Sequence, residues 1–587
     1  MAEAATKSWN RCVLHLVLGL LVVTLGAIEG WYERTFYTTD AISYLSVSRA
    51  ISNHEWKFAF NALWSSGYPF LIAIVRPLFP STAQGEWLAI HVLNLLILIF
   101  AYVSFLYLLK GFSPDLAEHA KGDSGAQETF LLLAGFCIFV CAELCLNGAS
   151  RVSPDPLVDG LFFAALGTLI RLIRKPAVFL AALLGVTLGI GYLVKAIFLP
   201  LSVIILLVSA LALRRTTGRI KLSAIALAAF LVFAIPYVVG LSWSFGRFTT
   251  GETGSLNYAF HVNLLPRWTN WEGGPQGYGM PIHPTRLLMK NPDLFEFAGP
   301  FHDTYPPFGH IAYWYEGYHH FWSPKYQAIA IVRNLYYLVL LLVKQPITYA
   351  IVGTILVLLL AFPFRKSWIA RTYAYWPFYV PPLIAIGLYV WVHLEDRYLA
   401  GFLATLGALP FVSLCASQSQ LPSRLRLGVI ATLALATLAS LATKDATAFR
   451  RAINHQPYTI DPQWKLAASL QQVGLKPGDN VAAIGGPNAE CTWAYADGLR
   501  IVAELGGAPY DPHPRGGHEH WWSNRKDPPP DASTQKFWES PPEQQVKILN
   551  LFRKAGAVAV IVGSKPSAVR APGWRKVSGT ESWIYQF

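Results

Sequence analysis

Residues 374–416, AYWPFYVPPLIAIGLYVWVHLEDRYLAGFLATLGALPFVSLCA, contain two apolar runs on either side of the charged stretch HLEDR. A helix that spans a bilayer needs about 20 mainly apolar residues. The two runs, 374–393 and 398–416, are close to that length. The pattern therefore predicts two membrane-spanning helices joined by a short polar turn.

The composition of the whole chain also indicates a membrane protein. Of its 587 residues 53% are hydrophobic and 14% are charged, whereas soluble domains are about a quarter charged. The first apolar run is interpreted as an uncleaved span, because no small-residue cleavage site clearly follows it. The sequence predicts a mainly α, polytopic helical bundle with about eleven spans, at 12–31, 86–108, 129–148, 156–173, 176–193, 196–213, 222–244, 347–363, 374–393, 398–416 and 427–443.

The distribution of Lys and Arg predicts the orientation of these spans. With the N-terminus in the cytoplasm, 16 basic residues fall in cytoplasmic segments, whereas the short outer links 149–155 and 394–397 carry one each. This bias is the positive-inside rule, and it explains much of the net charge of +13 without any nucleic acid partner. An odd number of spans places the C-terminus outside. The compact loops and the soluble tail lead us to expect a bacterial inner-membrane protein, in which that tail is periplasmic.

Two domains are predicted. Residues 1–443 form a transmembrane module with large outer segments at 32–85 and 245–346, and residues 444–587 form a small α/β domain. The first outer segment has helical periodicity, which predicts one or two helices along the membrane surface. The second is poor in regular pattern, although its end is helical and is a candidate for a twelfth span. The tail contains predicted strands at 480–484, 557–562 and 582–587.

Charged side chains at the predicted outer ends of the helices are the candidate functional residues. Asp40 follows the first span, Asp155 lies in the second outer link, and Lys195 separates two spans. His393 and Arg397 lie in the HLEDR turn. Charges close to a membrane are costly and mark function or pairing, and this topology brings them to one membrane face.

Five motifs carry a resemblance to a known family. They are YTTDAISYL at 37–45, WSSGYPFLI at 64–72, SPDPLVDGLFF at 153–163, YLVKAIFLPL at 192–201 and EDRYLAGFLATLGALP at 395–410. Their order and common side resemble the GT-C superfamily of integral membrane glycosyltransferases. That group includes the protein O-mannosyltransferases, the aminoarabinose transferase of lipid A and the oligosaccharyltransferases. The resemblance covers about residues 10–415, and the tail has no family match in the sequence.

The resemblance implies an enzyme that takes a sugar from a polyprenyl-phosphate carrier and passes it to an acceptor outside the cytoplasm. It implies catalytic roles for Asp40 and Asp155, with Asp40 as the general base that takes the proton of the acceptor hydroxyl. Lys195 or Arg397 would stabilise the negative charge on the departing phosphate. The substrate pocket is expected to include Tyr44, Tyr68 and His393.

Each of these charged residues also has a purely structural interpretation. Asp40 and Asp155 suit the N-cap of a helix, and Lys195 has the length to reach the membrane interface. Arg397 has acidic neighbours with which it would form a structural ion pair, and His393 suits a hydrogen-bonded helix end. Both sets of interpretations stay open at this point.

The sequence favours chemistry that needs no metal. Some GT-C enzymes hold a divalent cation with paired acids, but Asp40 has no acidic neighbour, and an Asp-Glu pair typical of protein O-mannosyltransferases is missing. This brings the chain nearer to the aminoarabinose transferase. A shared Mg²⁺ or Mn²⁺ ion on Asp40 and Asp155 stays open.

Two other classes of function are alternatives. One is a transporter or lipid flippase, which would need a polar path through the bilayer, although the spans carry few internal charges such as Glu143. The other is a membrane assembly protein that acts through its tail. The sequence identifies neither the sugar nor the acceptor, which is a lipid, a glycan or a protein.

Overall fold

The structure of the protein is a computed structural model. It describes residues 2–35, 37–119, 124–264, 286–290, 292–297, 304–306, 320–361, 365–417, 422–444, 460–485, 491–506, 532–565 and 571–587.

Helices dominate the described residues. In chain order they are α1 (Ala2–Tyr32), α2 (Thr39–Ser52), α3 (Trp56–Ala59), α4 (Gly67–Val75), α5 (Ala83–Lys110), α6 (Ser113–His119), α7 (Ser124–Val140), α8 (Asp155–Arg174), α9 (Val178–Val194), α10 (Phe198–Ala212), α11 (Arg219–Phe245), α12 (Thr253–Asn257), α13 (Pro324–Lys344), α14 (Pro346–Ala361), α15 (Arg365–Ala374), α16 (Trp376–Trp391), α17 (Asp396–Cys415), α18 (Ser423–Lys444), α19 (Pro462–Gln472), α20 (Thr492–Ala496), α21 (Ala532–Glu539) and α22 (Pro542–Lys554). A 3₁₀ turn, Arg76–Leu78, follows α4, and two π-helical segments, Cys141–Asn147 and Tyr258–Val262, follow α7 and α12.

The prediction of a polytopic helical membrane protein is confirmed. Each of the eleven predicted spans coincides with a helix, and among the described residues eight helices are long and apolar enough to cross a membrane. Seven of the eight are predicted spans, and the eighth is α13, the candidate for a twelfth. The other four predicted spans are the shorter apolar helices α9, α10, α14 and α16.

Large apolar side chains cover the outer surfaces of several of these helices. Val232 and Val239 on α11 are 67% and 61% exposed, and Leu435 on α18 is 68% exposed. A water-soluble surface rarely carries apolar area on this scale. These faces are therefore lipid-facing.

By its internal contacts the chain forms two compact units. The membrane unit consists of Met1–Arg34, Phe70–Trp243 and Ala330–Tyr458, and the sheet unit consists of Thr35–Pro69, Ser244–Ile329 and Thr459–Phe587. Parts of both large outer segments thus group with the tail. The predicted domain boundary at residue 443 stays a prediction.

Within the membrane unit, small residues let α8 approach α5 closely. A Cβ atom added to Gly160 would lie 3.0 Å from the Cα of Ala101, and one added to Gly167 would lie 3.2 Å from the backbone nitrogen of Leu108. Small residues at helix contacts are typical of membrane bundles, where packing rather than the hydrophobic effect drives association. This contact fixes α8, which carries the candidate site at its N-terminal end.

The sheet unit contains a seven-stranded sheet, which confirms the prediction of a small α/β domain. The strands are β1 (Arg286–Met289), β2 (Leu294–Glu296), β3 (Asn480–Ile484), β4 (Arg500–Leu505), β5 (Ala559–Val562), β6 (Trp574–Lys576) and β7 (Trp583–Gln586), in the spatial order β1-β2-β4-β3-β5-β7-β6. Strand β3 pairs in parallel with β4 and β5, and the other pairs are antiparallel. The sequence indicated no strands in the second outer segment, but β1 and β2 lie there. Strand β2 pairs with β4 and β1 pairs with β2, and such main-chain pairing needs no local sequence pattern, which is why both strands were missed.

The segment that follows the first span is anchored to the tail within the sheet unit. The indole nitrogen of Trp464 donates to the backbone oxygen of Thr35 at 2.9 Å. The ring of Tyr37 packs edge-on against Trp464, with centroids 5.3 Å apart. Tail contacts therefore position the chain that leads into α2.

Burial of Asp497 in the sheet unit makes stability depend on pH. Burial raises the pKa of Asp497 to about 7, although a hydrogen bond from Gln471 opposes the rise. Because the pKa is higher in the folded state than the usual value of about 3.9, the unfolding free energy should fall as pH rises from about 4 to about 7 and then level off. Asp497→Asn should flatten this part of the profile. The measurement is thermal unfolding of the full chain in detergent from pH 4 to pH 8, and an unchanged profile in Asp497→Asn would contradict the assignment.

Candidate functional site

A buried ion cluster lies at the N-terminal end of α8 in the membrane unit. Asp155 is the first residue of α8, and it is 4% exposed. The hydroxyl of Ser153 donates to its carboxylate and also accepts from its backbone N–H, at 3.3 Å in the second case. Pro154 occupies the N-cap of α8 and Asp155 follows it as the first helical residue, so the capping interpretation fails for Asp155.

Two cations from distant parts of the chain converge on Asp155. The Lys195 ammonium forms an ion pair with Oδ1 of Asp155, and Nε of Arg397 lies 3.7 Å from Oδ2. The side chains of Lys195 and Arg397 are 18% and 11% exposed. Partly buried opposite charges interact far more strongly than the same charges in water, so this cluster organises the end of the bundle.

Breaks between helices place both cations. Helix α9 ends at Val194 and α10 begins at Phe198, and the backbone of Lys195 between them is extended, with φ −156° and ψ 136°. Arg397 lies in the first turn of α17, immediately after the turn that follows α16. The snorkelling interpretation therefore fails for Lys195, because its ammonium is held by a carboxylate.

The ring of Tyr398 forms one wall of the cluster. The ammonium nitrogen of Lys195 lies 3.9 Å from the ring centroid, in cation–π geometry. The ring of Tyr398 also stacks on the ring of Tyr389 of α16, with the ring centroids 5.1 Å apart. This aromatic pair fixes the direction from which Lys195 approaches Asp155.

Glu395 links His393 to Arg397 in the turn before α17. Nε of Arg397 donates to Glu395 at 2.7 Å, and a ring nitrogen of His393 lies 3.2 Å from the other carboxylate oxygen. Burial acts to raise the pKa of Glu395, but the hydrogen bond from His393 and the charge of Arg397 outweigh it and hold the pKa well below its usual range. His393 is thus a hydrogen-bonded helix-end residue, and Arg397 pairs with both Glu395 and Asp155.

A second polar layer lies deeper in the membrane unit. The side-chain amide of Asn147 donates to Glu143 at 2.9 Å and to Asp159 at 2.7 Å. Glu143 and Asn147 belong to the π-helical segment Cys141–Asn147, and all three side chains are at most 2% exposed. Single π-helical turns are frequent at functional sites. Asp159 stands one helical turn after Asp155 on α8, so the two layers share a helix.

Helix α17 packs closely against α8 at this second polar layer. A side chain at Gly401 would overlap the carboxylate of Asp159. Glycine at 401 thus lets α17 pack on α8 while the carboxylate of Asp159 stays in place.

Asp40 belongs to the sheet unit, in the first turn of α2. The cap of that helix is Thr38, whose hydroxyl accepts from the backbone N–H of Ala41 at 3.3 Å. The capping interpretation of Asp40 is therefore wrong. A carboxylate in the first turn is still favoured by the helix dipole, and the side chain is partly exposed.

The two tyrosines predicted to line a substrate pocket are packed against each other. Tyr44 meets Trp64 and Tyr68 edge-on, with centroids 5.2 and 5.7 Å away. Tyr44 is 7% exposed and Tyr68 is completely buried. Their contact with a substrate stays a prediction.

We searched the described residues for side chains that could bind a metal ion. Among the described ranges, no group of three or more His, Cys, Asp and Glu side chains is arranged to hold a metal ion. Asp40 and Asp155 belong to different compact units. A shared cation on these two carboxylates stays a prediction.

Sequence reasoning missed three residues of the site: Asn147, Asp159 and Tyr398. Asp159 lies within the quoted motif SPDPLVDGLFF, and its spacing of four from Asp155 puts both on one helix face. That spacing was the available signal. No sequence signal pointed to Asn147, because only the π-helical turn brings its amide between two carboxylates.

Taken together, the helices and the sheet define an integral membrane protein that combines a helical bundle with a small α/β sheet domain. Two solved structures of ArnT from Cupriavidus metallidurans share this fold, which agrees with the fold that the sequence resemblance implies. The structure bound to undecaprenyl phosphate matches with a TM-score of 0.51 at 11% identity, over 98% of this chain and 97% of its own. The apo structure matches with a TM-score of 0.50 at 12% identity, over 99% and 98%.

Sequence comparison adds nothing to this likeness. No protein-family model matches the chain, and no curated protein matches it. At 11–12% identity the two solved structures show the fold alone.

Asn147 should be a large contributor to the stability of the membrane unit. Asn147→Leu keeps the approximate size of the side chain but leaves two buried carboxylates without their shared donor, so we expect a loss of about 2–4 kcal/mol in unfolding free energy. The control is Thr187→Val, because the Thr187 hydroxyl donates to Leu183 within its own helix. That change should cost about 1 kcal/mol or less. Unfolding of both variants by denaturing detergent measures the difference, and equal stability would contradict the role of Asn147.

Proposed function

We propose that the protein is a membrane glycosyltransferase that moves a sugar from a polyprenyl-phosphate carrier to an acceptor on the extracytoplasmic face. The observation that carries the proposal is the convergence of Lys195 and Arg397 on Asp155 at one end of a GT-C bundle. Two cations held side by side, partly buried and next to lipid-facing helices, suit the phosphate of a lipid carrier. The ArnT structure that shares the fold is bound to undecaprenyl phosphate.

The charges of the cluster explain how it would accept a phosphate. Lys195 and Arg397 are balanced by Asp155 and Glu395, so the four side chains together are close to neutral. A phosphate would add negative charge next to both cations. Arg397 offers several N–H donors in a planar fork and Lys195 offers a point charge, so the two recognise a phosphate in complementary ways.

In the transfer step, Asp40 takes the proton of the acceptor hydroxyl as its oxygen attacks the anomeric carbon of the sugar. The bond from that carbon to the phosphate oxygen breaks, and both its electrons leave with the carrier phosphate. Lys195 and Arg397 stabilise the charge that grows on the departing phosphate. A single displacement of this kind inverts the configuration at the anomeric carbon.

Asp155 acts in this scheme through the two cations. Its carboxylate is occupied by Lys195 and Arg397, and Ser153 fixes its position. We therefore propose that Asp155 holds the cations in place between turnovers and does not itself take the proton. Asp40 then remains the general base, as the resemblance implies.

The remaining parts of the proposal concern partners and location. The donor is a polyprenyl-phosphate-linked sugar in a lipid bilayer, and the acceptor is a lipid, a glycan or a protein. No metal takes part in the proposed step. The N-terminus is proposed to be cytoplasmic and the tail outside, as the distribution of basic residues predicts. The compact loops and the soluble tail favour a bacterial inner membrane, in which that tail would be periplasmic.

Replacement of the base should separate chemistry from binding. Asp40→Asn keeps the size of the side chain but removes the proton acceptor, so we expect turnover to fall by about 10²–10⁴-fold while carrier binding is retained. The measurement follows radiolabelled sugar from a panel of polyprenyl-phosphate donors with the protein in nanodiscs. Asp479→Asn, at an exposed turn of the sheet unit, is the matched control and should keep full activity. Normal turnover in Asp40→Asn would reject it as the base.

Replacement of the cations should weaken carrier binding. Lys195→Gln and Arg397→Gln each remove one charged donor to the phosphate, worth about 1.5–3 kcal/mol, so the dissociation constant should rise about 10- to 100-fold. Lys221→Gln, which changes an exposed lysine at the start of α11, should leave binding unchanged. If no carrier binds to folded wild-type protein, the transferase proposal fails, and the transporter and assembly alternatives take its place.

A further inference from the structure

A polar pocket of about 210 Å³ lies in the sheet unit. One wall is the C-terminal half of α2 with the turn after it, and the other is formed by the tail around Gly478 and Gly498. The volume is far above the roughly 10–15 Å³ that a single water requires, and it is sufficient for a group the size of one sugar. None of the residues proposed for sugar transfer lines it.

Two arginines face this pocket, and one of them is held rigidly. The Arg49 guanidinium stacks on the ring of Tyr495 at 3.6 Å and donates to the Tyr495 backbone oxygen at 3.3 Å. Tyr495 is 1% exposed, so the platform under Arg49 is fixed. Arg500, the first residue of β4, lines the same pocket and is exposed. A pre-oriented guanidinium loses little freedom on binding and favours phosphate or carboxylate groups.

The other wall residues favour hydroxyl groups over a bare anion. Asn53 and Glu55 offer an amide and a carboxylate, and Ser46 offers a hydroxyl. A carboxylate repels a free anion but accepts hydrogen bonds from hydroxyls. Phe58 adds an aromatic ring to the same wall. Guanidinium, amide, carboxylate and aromatic groups in one pocket match a sugar that also carries an acidic group.

The pocket lies on a different face of α2 from the proposed base. Arg49 follows Asp40 by nine positions, which at about 100° per residue is half a turn away around the helix. Ser46 and Asn53 lie on the Arg49 side by the same reckoning. One helix thus presents Asp40 on one face and the pocket residues on the other.

We infer that this pocket is a second binding site, which takes a phosphorylated or carboxylated sugar. Such a group occurs on soluble glycans and on the headgroups of glycolipids, and both present the same chemistry. The inference does not depend on the proposed transfer reaction, because it concerns binding at residues outside that reaction.

The test measures binding to the full chain in phosphatidylcholine nanodiscs by titration calorimetry. The probes are glucose 1-phosphate, glucuronate, inorganic phosphate and glucose. We expect glucose 1-phosphate and glucuronate to bind at least 10-fold more tightly than inorganic phosphate or glucose. Competition by lipid A placed in the discs would assign the site to a glycolipid headgroup, and tight soluble binding without competition would assign it to a soluble glycan.

Variants locate the binding in the pocket. Arg500→Gln removes an exposed guanidinium, and Asn53→Trp fills the pocket while leaving both arginines in place. Each should weaken glucose 1-phosphate binding at least 10-fold. Arg575→Gln, which changes an exposed arginine of strand β6, is the matched control and should bind normally. Asp40→Asn should also bind normally, which separates this site from the proposed reaction.

Three results would overturn the inference. The first is the absence of binding by either acidic sugar to folded protein. The second is equal binding of inorganic phosphate and glucose 1-phosphate, which would describe a simple anion site. The third is normal binding in both Arg500→Gln and Asn53→Trp.

Discussion

The ion pairs of Asp155 with Lys195 and Arg397 are the interaction on which the membrane unit depends at its polar end. They join the start of α8, the break between α9 and α10, and the start of α17. These three segments are far apart in the sequence, and the ion pairs hold them together in the fold. An unpaired charge there would be costly beside lipid, so each member constrains the position of the other two.

The layer beneath this cluster extends the same constraint into the bundle. The side-chain amide of Asn147 donates one hydrogen bond to Glu143 and one to Asp159, and Gly401 leaves room for the carboxylate of Asp159. Buried polar networks stabilise one arrangement of helices only when their members are hydrogen-bonded. The π-helical turn before Gly148 is the local distortion that makes this geometry available. The bundle is thus ordered by polar contacts at α8, while its lipid-facing helices are ordered by apolar packing.

Much of the fold could be predicted from local sequence. Apolar runs of membrane length identified the helices, and the charged HLEDR turn identified the place where Arg397 meets its partners. The sequence could not predict that Lys195 forms an ion pair with Asp155 instead of extending to the membrane interface, because that pairing depends on how α9 and α8 pack. Strand β2 was missed for a related reason, since its pairing partner β4 lies about 200 residues away in the chain, and β1 in turn pairs with β2. Thr38 rather than Asp40 caps α2, although both residue types are good caps.

A structure of the chain in nanodiscs with undecaprenyl phosphate, determined by electron cryomicroscopy, tests the central claim most directly. The account predicts phosphate density in contact with the Lys195 ammonium and the Arg397 guanidinium, with Asp155 still touching at least one of them. Phosphate density at another place, with the Lys195–Asp155–Arg397 cluster unchanged, would contradict the account. In that case the cluster would be a structural feature of the bundle, and the carrier site would have to be sought among other residues.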